Sequence, residues 1–262
     1  MNSWFMRVVF LLLAFPLTVQ ASTLRYAVTN ESWEPYWIFR DGQVSGILSD
    51  VMQALDTQLE VTLEADTPQP PLRAQKYFRE GLVQLECCVD IEWRKDPEQV
   101  KVSLWSDPLM SAEEVIIFPP GRQFAFAKLQ DLQGRTISTV RGYGYAGSQY
   151  FARVDSPNST AQLNSVALGR AEAGIIDRLE LAYLRASHPE IAGRAVKIEQ
   201  GPVVNRSELR IRLHSSRAEM LQPLNAAIAR IRADGTLSKI VQRYTQPVRP
   251  QLNPSAISSS NR

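Results

Sequence analysis

Histidine and cysteine are scarce in this chain, which has 262 residues and only two of each. His188 and His214 stand singly and far apart, and no group of residues has the spacing of a metal site. The sequence contains neither a Gly-x-Ser-x-Gly nucleophile elbow nor a phosphate-binding glycine loop. We therefore expect no metal, no cofactor and no enzymatic activity.

Neither sign of charge dominates, since 29 basic and 27 acidic residues leave a formal net charge of +2. No basic tract alternates with aromatic residues, so nothing in the sequence supports nucleic-acid binding. The hydrophobic fraction of 44% and the charged fraction of 21% are typical of a soluble globular protein. The length suffices for one large domain or two lobes of ordinary size.

Long apolar runs are absent after the first twenty residues. Arg7 precedes the apolar run Val8–Leu17, and the small residues around Ala21 suit signal peptidase. We interpret residues 1–21 as a cleaved signal peptide, which places the mature protein in the periplasm. A membrane anchor is the alternative, but the run is short for crossing a bilayer.

The two cysteines are adjacent, at Cys87 and Cys88, in a stretch that continues with Trp93, Arg94 and Trp105. A guanidinium beside aromatic side chains suits the capture of a small carboxylate, so we interpret this stretch as the floor of a ligand site. The cysteines form a vicinal disulfide in an oxidising compartment, or they remain two small buried hydrophobic residues.

Segments typical of strands alternate with segments typical of helices, which predicts an α/β fold. In the range 46–59, apolar residues recur every four positions and predict a helix. A buried strand over 173–176 ends at Asp177. Two amphipathic helices are predicted over 218–244, broken at Gly235. Residues 247–262 are rich in proline, serine and asparagine, which predicts a disordered tail.

Four motifs together resemble one protein family over nearly all of the mature chain. They are Glu34-Pro35-Tyr36-Trp37 with the turn that ends at Gly46, VSLWSDP at 102–108, LQGRTISTVRG at 132–142, and the closing helices of 221–244. This order of motifs is similar to the periplasmic solute-binding proteins of the polar amino-acid uptake family, and the closing helices are the most specific of the four.

The resemblance implies an α/β fold of the two-lobed type 2 periplasmic-binding-protein class, with each lobe a sheet flanked by helices and a two-strand hinge between them. The first lobe is then expected over residues 22–118 and the second over 119–205. Residues 206–246 are expected to return to the first lobe, with the chain crossing near 118–122 and 203–207.

The resemblance also implies a function. We expect a monomer that binds a small solute, an amino acid or a related zwitterion, by lobe closure and delivers it to an ABC permease. Two alternatives stay open. One is a periplasmic, dehydratase-like enzyme on the same fold, in which Glu31 or Glu92 would be the acid or base. The other is a receptor module that reports its ligand to a membrane partner.

Two charged residues resemble the family's ligand contacts. Asp177 stands where the family has the aspartate that takes the ligand's ammonium, and its alternative role is to cap the following helix. Arg94 resembles the arginine that clamps the ligand's carboxylate. Its distance in sequence from Ser106 is longer than usual, so a surface ion pair is the alternative.

The remaining candidates depart from the family pattern. Gly142 and Tyr143 stand at the turn whose backbone N–H groups would meet a carboxylate, although the family's hydroxyl residue is missing. Cys87 and Cys88 stand where the family has a glycine and small hydroxyl residues. Trp33 and Tyr36 are candidates for an apolar wall, with burial in the core as the alternative.

Overall fold

The computed structural model describes residues 22–187 and 197–246, which form a mixed α/β fold. The predicted signal peptide and the predicted tail lie outside the described residues. The strands are β1 (Thr23–Ala27), β2 (Ile38–Arg40), β3 (Gln43–Ser45), β4 (Thr62–Ala65), β5 (Leu85–Val89), β6 (Ser103–Trp105), β7 (Met110–Phe118), β8 (Thr136–Val140), β9 (Ala152–Ser156), β10 (Ala173–Asp177) and β11 (Glu199–His214). The helices are α1 (Ile47–Asp56), α2 (Pro71–Arg79), α3 (Pro97–Val100), α4 (Ser159–Ala167), α5 (Arg178–Ser187), α6 (Leu221–Ala233) and α7 (Thr236–Thr245).

One large sheet connects most of the strands, in the order β4-β1-β5-β11-β7-β10-β8-β9, while β6 pairs with β11 and β2 pairs with β3. β1 runs parallel to both of its neighbours, as does β8. The long strand β11 is antiparallel to β5, β6 and β7. Leu209 lies opposite Met110 and Glu199 opposite Phe118, so β7 and β11 form a ribbon that joins the two ends of the sheet.

The hydrophobic interior is divided into two parts. The first core packs β1, β5 and α1 against α6 and α7, as Leu24, Ile47 and Ile228 illustrate. The second core covers both faces of β7 and β10, with Val115 and Ile117 on one face and Ile116 and Phe118 on the other. Alternate residues of a strand point to opposite faces. Four successive apolar residues of β7 therefore pack on both faces of the sheet.

This packing bears on where the chain crosses between lobes. The crossing was expected near residues 118–122, but Ile116 and Phe118 pack with Ile137 and Phe151 in the second core. The contacts thus favour a crossing earlier in β7, near Met110 and its partner Leu209, and we propose the lobe boundary there.

Glycine is needed at the start of α1. Gly46 has a φ of +109°, and a Cβ there would lie 2.6 Å from the carbonyl oxygen of Tyr36. The N–H groups of Ile47 and Leu48 donate to the carbonyls of Pro35 and Tyr36 at 2.9 and 3.0 Å. The segment that carries Tyr36 is therefore fixed against the first turn of α1.

The closing helices follow the sequence prediction. α6 ends at Ala233, and α7 begins at Thr236 after Gly235, whose φ of +79° is left-handed. The segment between β8 and β9 contains turns and no helix. Within residues 22–187 and 197–246, no helix is both long and apolar enough to cross a membrane.

Candidate ligand-binding cleft

A cavity of about 640 Å³ lies where residues of the two cores meet. Its lining includes Trp33 and Arg94 from the side of the first core and Tyr143 and Glu180 from the side of the second. This volume is within the usual range of small-molecule sites.

Strand β5 forms the floor of this cavity. Each of its five residues is buried, and its Cys87 and Cys88 are joined by a disulfide and line the cavity. Of the two states that the sequence left open, the structure shows the disulfide. The floor is therefore an apolar sulfur surface.

Glu86 holds Arg94 at the edge of the floor. Arg94 donates from Nε to both carboxylate oxygens at 3.1 Å and from Nη2 to Oε1 at 2.5 Å. Its Nη1 donates to the carbonyl of Trp93 at 2.9 Å. Arg94 is thus a mostly buried guanidinium in an ion pair with Glu86, and it lines the cavity.

A second arginine lies behind Glu86. Arg212 is 0% exposed, donates to Glu86 Oε2 at 2.7 Å and to Ser103 Oγ at 2.7 Å, and stacks 3.8 Å from the ring centroid of Phe78. Burial raises the pKa of Glu86, but hydrogen bonds and charges from Arg94 and Arg212 outweigh it and hold that pKa below its usual value. Two guanidiniums share one carboxylate, so the cluster keeps one net positive charge at the cavity.

Indole rings form the wall next to this cluster. Trp33 stacks on Tyr36 with ring centroids 4.0 Å apart and meets Trp93 edge-on at 5.8 Å. Trp33, Trp37 and Trp93 line the cavity. Tyr36 is completely buried behind Trp33 and takes the core role, while Trp33 takes the wall role.

Asp177 lies at the end of β10 and is 7% exposed. Its Oδ1 accepts from the N–H groups of Leu179 and Glu180, at 2.9 and 3.0 Å, so it caps α5. Its Oδ2 accepts from the N–H of Glu113, and the Tyr36 hydroxyl reaches both oxygens at 3.1 Å. Burial raises the pKa of Asp177, although these hydrogen bonds oppose the rise.

Two further carboxylates line the same wall. Glu114 accepts from the Asn205 side chain at 3.0 Å, and Glu180 is 8% exposed with a hydrogen bond from Ser159. Burial raises the pKa of Glu114. Burial, together with the charge of Asp177, raises the pKa of Glu180 to about 8.

The turn after β8 completes the cavity. Gly142 has a φ of +84°, and the carbonyl of Tyr143 accepts from Arg153 Nη1 at 3.0 Å. Tyr143 and Gly144 line the cavity, whereas Gly142 lies outside its lining.

Most of the residues that the sequence singled out meet in this cavity. Those that line it are Trp33, Cys87, Cys88, Arg94, Tyr143 and Asp177. Glu31 also lines it, while Glu92 is exposed and pairs with Lys95. Sequence reasoning missed Glu86, Glu114 and Glu180 as cavity residues. The one indication in the sequence is that Glu86 and Glu180 lie near the candidates Cys87 and Asp177.

Comparison with solved structures identifies the fold as the two-lobed periplasmic-binding type. Bacillus subtilis YckB is 17% identical with a TM-score of 0.69, covering 86% of this chain and 90% of that chain. An ancestral cationic amino acid solute-binding protein, AncCDT-1, is 19% identical with a TM-score of 0.66 and coverages of 86% and 96%. The periplasmic VFT2 domain of Bordetella pertussis BvgS is 21% identical with a TM-score of 0.62 and coverages of 85% and 93%.

Sequence comparison gives the family directly. A search of curated proteins finds no match. The family model for bacterial extracellular solute-binding proteins, family 3, matches residues 25–247, which is most of the chain. This chain therefore belongs to the bacterial extracellular solute-binding proteins, family 3.

Proposed function

We propose that this protein captures an amino acid or a related zwitterion in the periplasm, between two closing lobes, and delivers it to an ABC permease. One observation carries the proposal: a single cavity has Arg94 on one wall and the carboxylates of Glu114, Asp177 and Glu180 on the other.

Opposed charges suit a zwitterion. The guanidinium of Arg94 can pair with a carboxylate through the N–H groups that Glu86 and Trp93 leave free. Carboxylates are acceptor-only groups when ionised, which suits an ammonium. The disulfide floor and the indole of Trp33 offer apolar surface to the rest of the solute.

The comparisons support this class of solute. AncCDT-1 is described as a cationic amino acid solute-binding protein, and another similar structure is the GluR0 ligand-binding core in complex with L-glutamate. The disulfide between Cys87 and Cys88 suits an oxidising compartment, in agreement with the predicted signal peptide.

A thermal-shift screen of the mature protein against amino acids and their decarboxylated amines tests the proposal. A ligand whose free concentration is a thousand times its Kd adds about 4 kcal/mol to the free energy of unfolding. We expect at least one amino acid to raise the melting temperature strongly. If no amino acid raises the melting temperature, the proposal is overturned.

Arg94→Gln then tests the carboxylate contact. A charge-assisted hydrogen bond contributes about 1.5–3 kcal/mol, so we expect roughly 10- to 100-fold weaker binding of the amino acid. Binding of the decarboxylated amine, measured by calorimetry, should change much less. Equal losses for both ligands would argue against a carboxylate at Arg94.

Enzymatic activity is the second candidate function. Glu180 faces the cavity with a pKa of about 8, so it holds a proton near neutral pH as a general acid does. Incubating each ligand found in the screen with the protein, and following it by NMR, separates the two functions. Substrate consumption that Glu180→Gln abolishes would favour the enzyme.

A further inference from the structure

Asp177 has no acceptor position left for a ligand. Its two oxygens accept the N–H groups of Glu113, Leu179 and Glu180, and the Tyr36 hydroxyl reaches both of them. A carboxylate has about four acceptor positions. An ammonium would have to displace Tyr36, which is 0% exposed and fixed against α1.

The same wall has acceptors that are less occupied. Glu114 Oε2 accepts from Asn205 at 3.0 Å, and Glu180 has the hydroxyl of Ser159 as its side-chain partner. Gln162 is 1% exposed and lines the cavity, and its Nε2 donates to the carbonyls of Ser138 and Ile175 at 2.9 and 2.7 Å. Its Oε1 has no donor among the described residues. A buried acceptor without a donor is unfavourable, so Gln162 Oε1 would gain from a donor that a ligand supplies.

Cations near this wall are paired elsewhere. Arg178 and Arg206 both bind Glu113, at 2.6 and 2.5 Å. Among the described residues that line the cavity, the cationic side chain is Arg94. Glu86 holds it on the opposite wall. The charged and titratable groups that face Glu180 are Asp177, Glu34, Tyr36, Tyr143 and Tyr145.

We propose that Glu114, Glu180 and Gln162 Oε1 form a subsite for a cationic group with several N–H donors, an ammonium or a guanidinium, and that Asp177 orders this wall without contacting the solute. This inference rests on the proposed function and specifies which part of the cavity takes the positive charge. The described residues contain no group of three or more ligating side chains arranged for a metal, so an organic cation is the fitting occupant.

The protonation of the two glutamates is consistent with a cation subsite. Burial raises the pKa of both Glu114 and Glu180, and a bound cation opposes that effect. Binding a cation at neutral pH therefore releases a proton from Glu180. Affinity for a cationic solute should rise between pH 6 and pH 8 and then level off.

The test is calorimetry with L-arginine, L-lysine, agmatine and putrescine as probes, on the wild type, Glu180→Gln and Glu114→Gln. We expect each variant to weaken the binding of a cationic probe at least tenfold. Glu92→Gln is the matched control, because it makes the same carboxyl-to-amide change outside the cavity lining and should leave affinity unchanged. Titrations at pH 7 in two buffers of different ionisation enthalpy should show proton release in the wild type and its loss in Glu180→Gln.

The outcomes distinguish the subsite from the proposed function. Folded Glu180→Gln and Glu114→Gln proteins that bind a cationic probe as tightly as the wild type would overturn the subsite. Binding of a neutral or acidic amino acid that neither Glu180→Gln nor Glu114→Gln weakens would also overturn the subsite, while solute binding would stand. If no amino acid or amine binds, both the subsite and the proposed function are refuted.

Discussion

The environment of Glu180 differs strongly from that of a free side chain. It is buried beside Asp177, in range of the charge of Glu34, with one hydroxyl as its side-chain partner. Its protonated form is therefore favoured in the folded, ligand-free protein. The unfolded chain exposes the same carboxyl to water, where it ionises near its usual pKa.

We predict that Glu180 makes the ligand-free protein less stable as pH rises from about 4.5 to about 8. Between these values the folded state binds the proton and the unfolded state does not, so the free energy of unfolding falls with pH, by up to about 1.4 kcal/mol per unit. Glu180→Gln should flatten this slope in urea titrations from pH 5 to pH 8. A slope identical to that of the wild type would contradict the pKa shift.

For single residues, sequence reasoning identified site candidates from their neighbours in the chain. It missed interaction partners that lie far away in the sequence. Asp177 was found because it ends a predicted strand at a position where the family it resembles has an aspartate, and Cys87 and Cys88 were found because they are adjacent. Tyr36 meets Asp177 across 141 positions, a contact that no local pattern contains. The sequence also resembles a family in which Asp177 takes an ammonium, but it does not show that Tyr36 reaches the same carboxylate.

A buried ion pair joins β11 to β5, in addition to their backbone pairing. Arg212 on β11 reaches Glu86 on β5, and its other nitrogens bond Gln99 and Ser103. The pair itself was missed, since its members lie 126 positions apart and arginine is rarely buried.

We predict that Arg212→Met destabilises the protein by about 3 kcal/mol, the lower end for breaking a buried pair, because Arg94 still neutralises Glu86. Urea denaturation measures the loss. Glu98→Gln, which removes the exposed pair with Lys101, is the control and should change stability little. Comparable losses in the two variants would show that the buried network does not hold these strands together.

Over the whole molecule, the two cores are connected both through the backbone and through side chains. The β7–β11 ribbon joins them through the backbone, and Tyr36 joins them through Asp177. The family resemblance predicted the two-lobed fold, and the comparisons confirm it. For the crossing, the sequence predicts residues 118–122, while the packing of Ile116 and Phe118 in the second core supports the earlier position near Met110 that we propose.

We predict that Tyr36→Phe shifts the ligand-free protein toward an open arrangement. A hydrogen bond to a charged group contributes about 1.5–3 kcal/mol, which changes an equilibrium roughly 10- to 100-fold. Small-angle X-ray scattering should therefore give a larger radius of gyration. Tyr244→Phe is the matched control, because it also removes a 3.1 Å tyrosine–aspartate bond, to Asp50, which joins α7 to α1. Indistinguishable scattering from the two variants would refute the prediction.

The disulfide on the cavity floor also affects how the molecule matures. Because Cys87 and Cys88 are the only cysteines and are adjacent, oxidation within one chain has a single product. There is no mispaired intermediate for a disulfide isomerase to correct, and the ring encloses no loop whose closure would restrain the unfolded chain. Oxidation therefore changes the surface of the cavity floor and leaves the order of folding to the two cores.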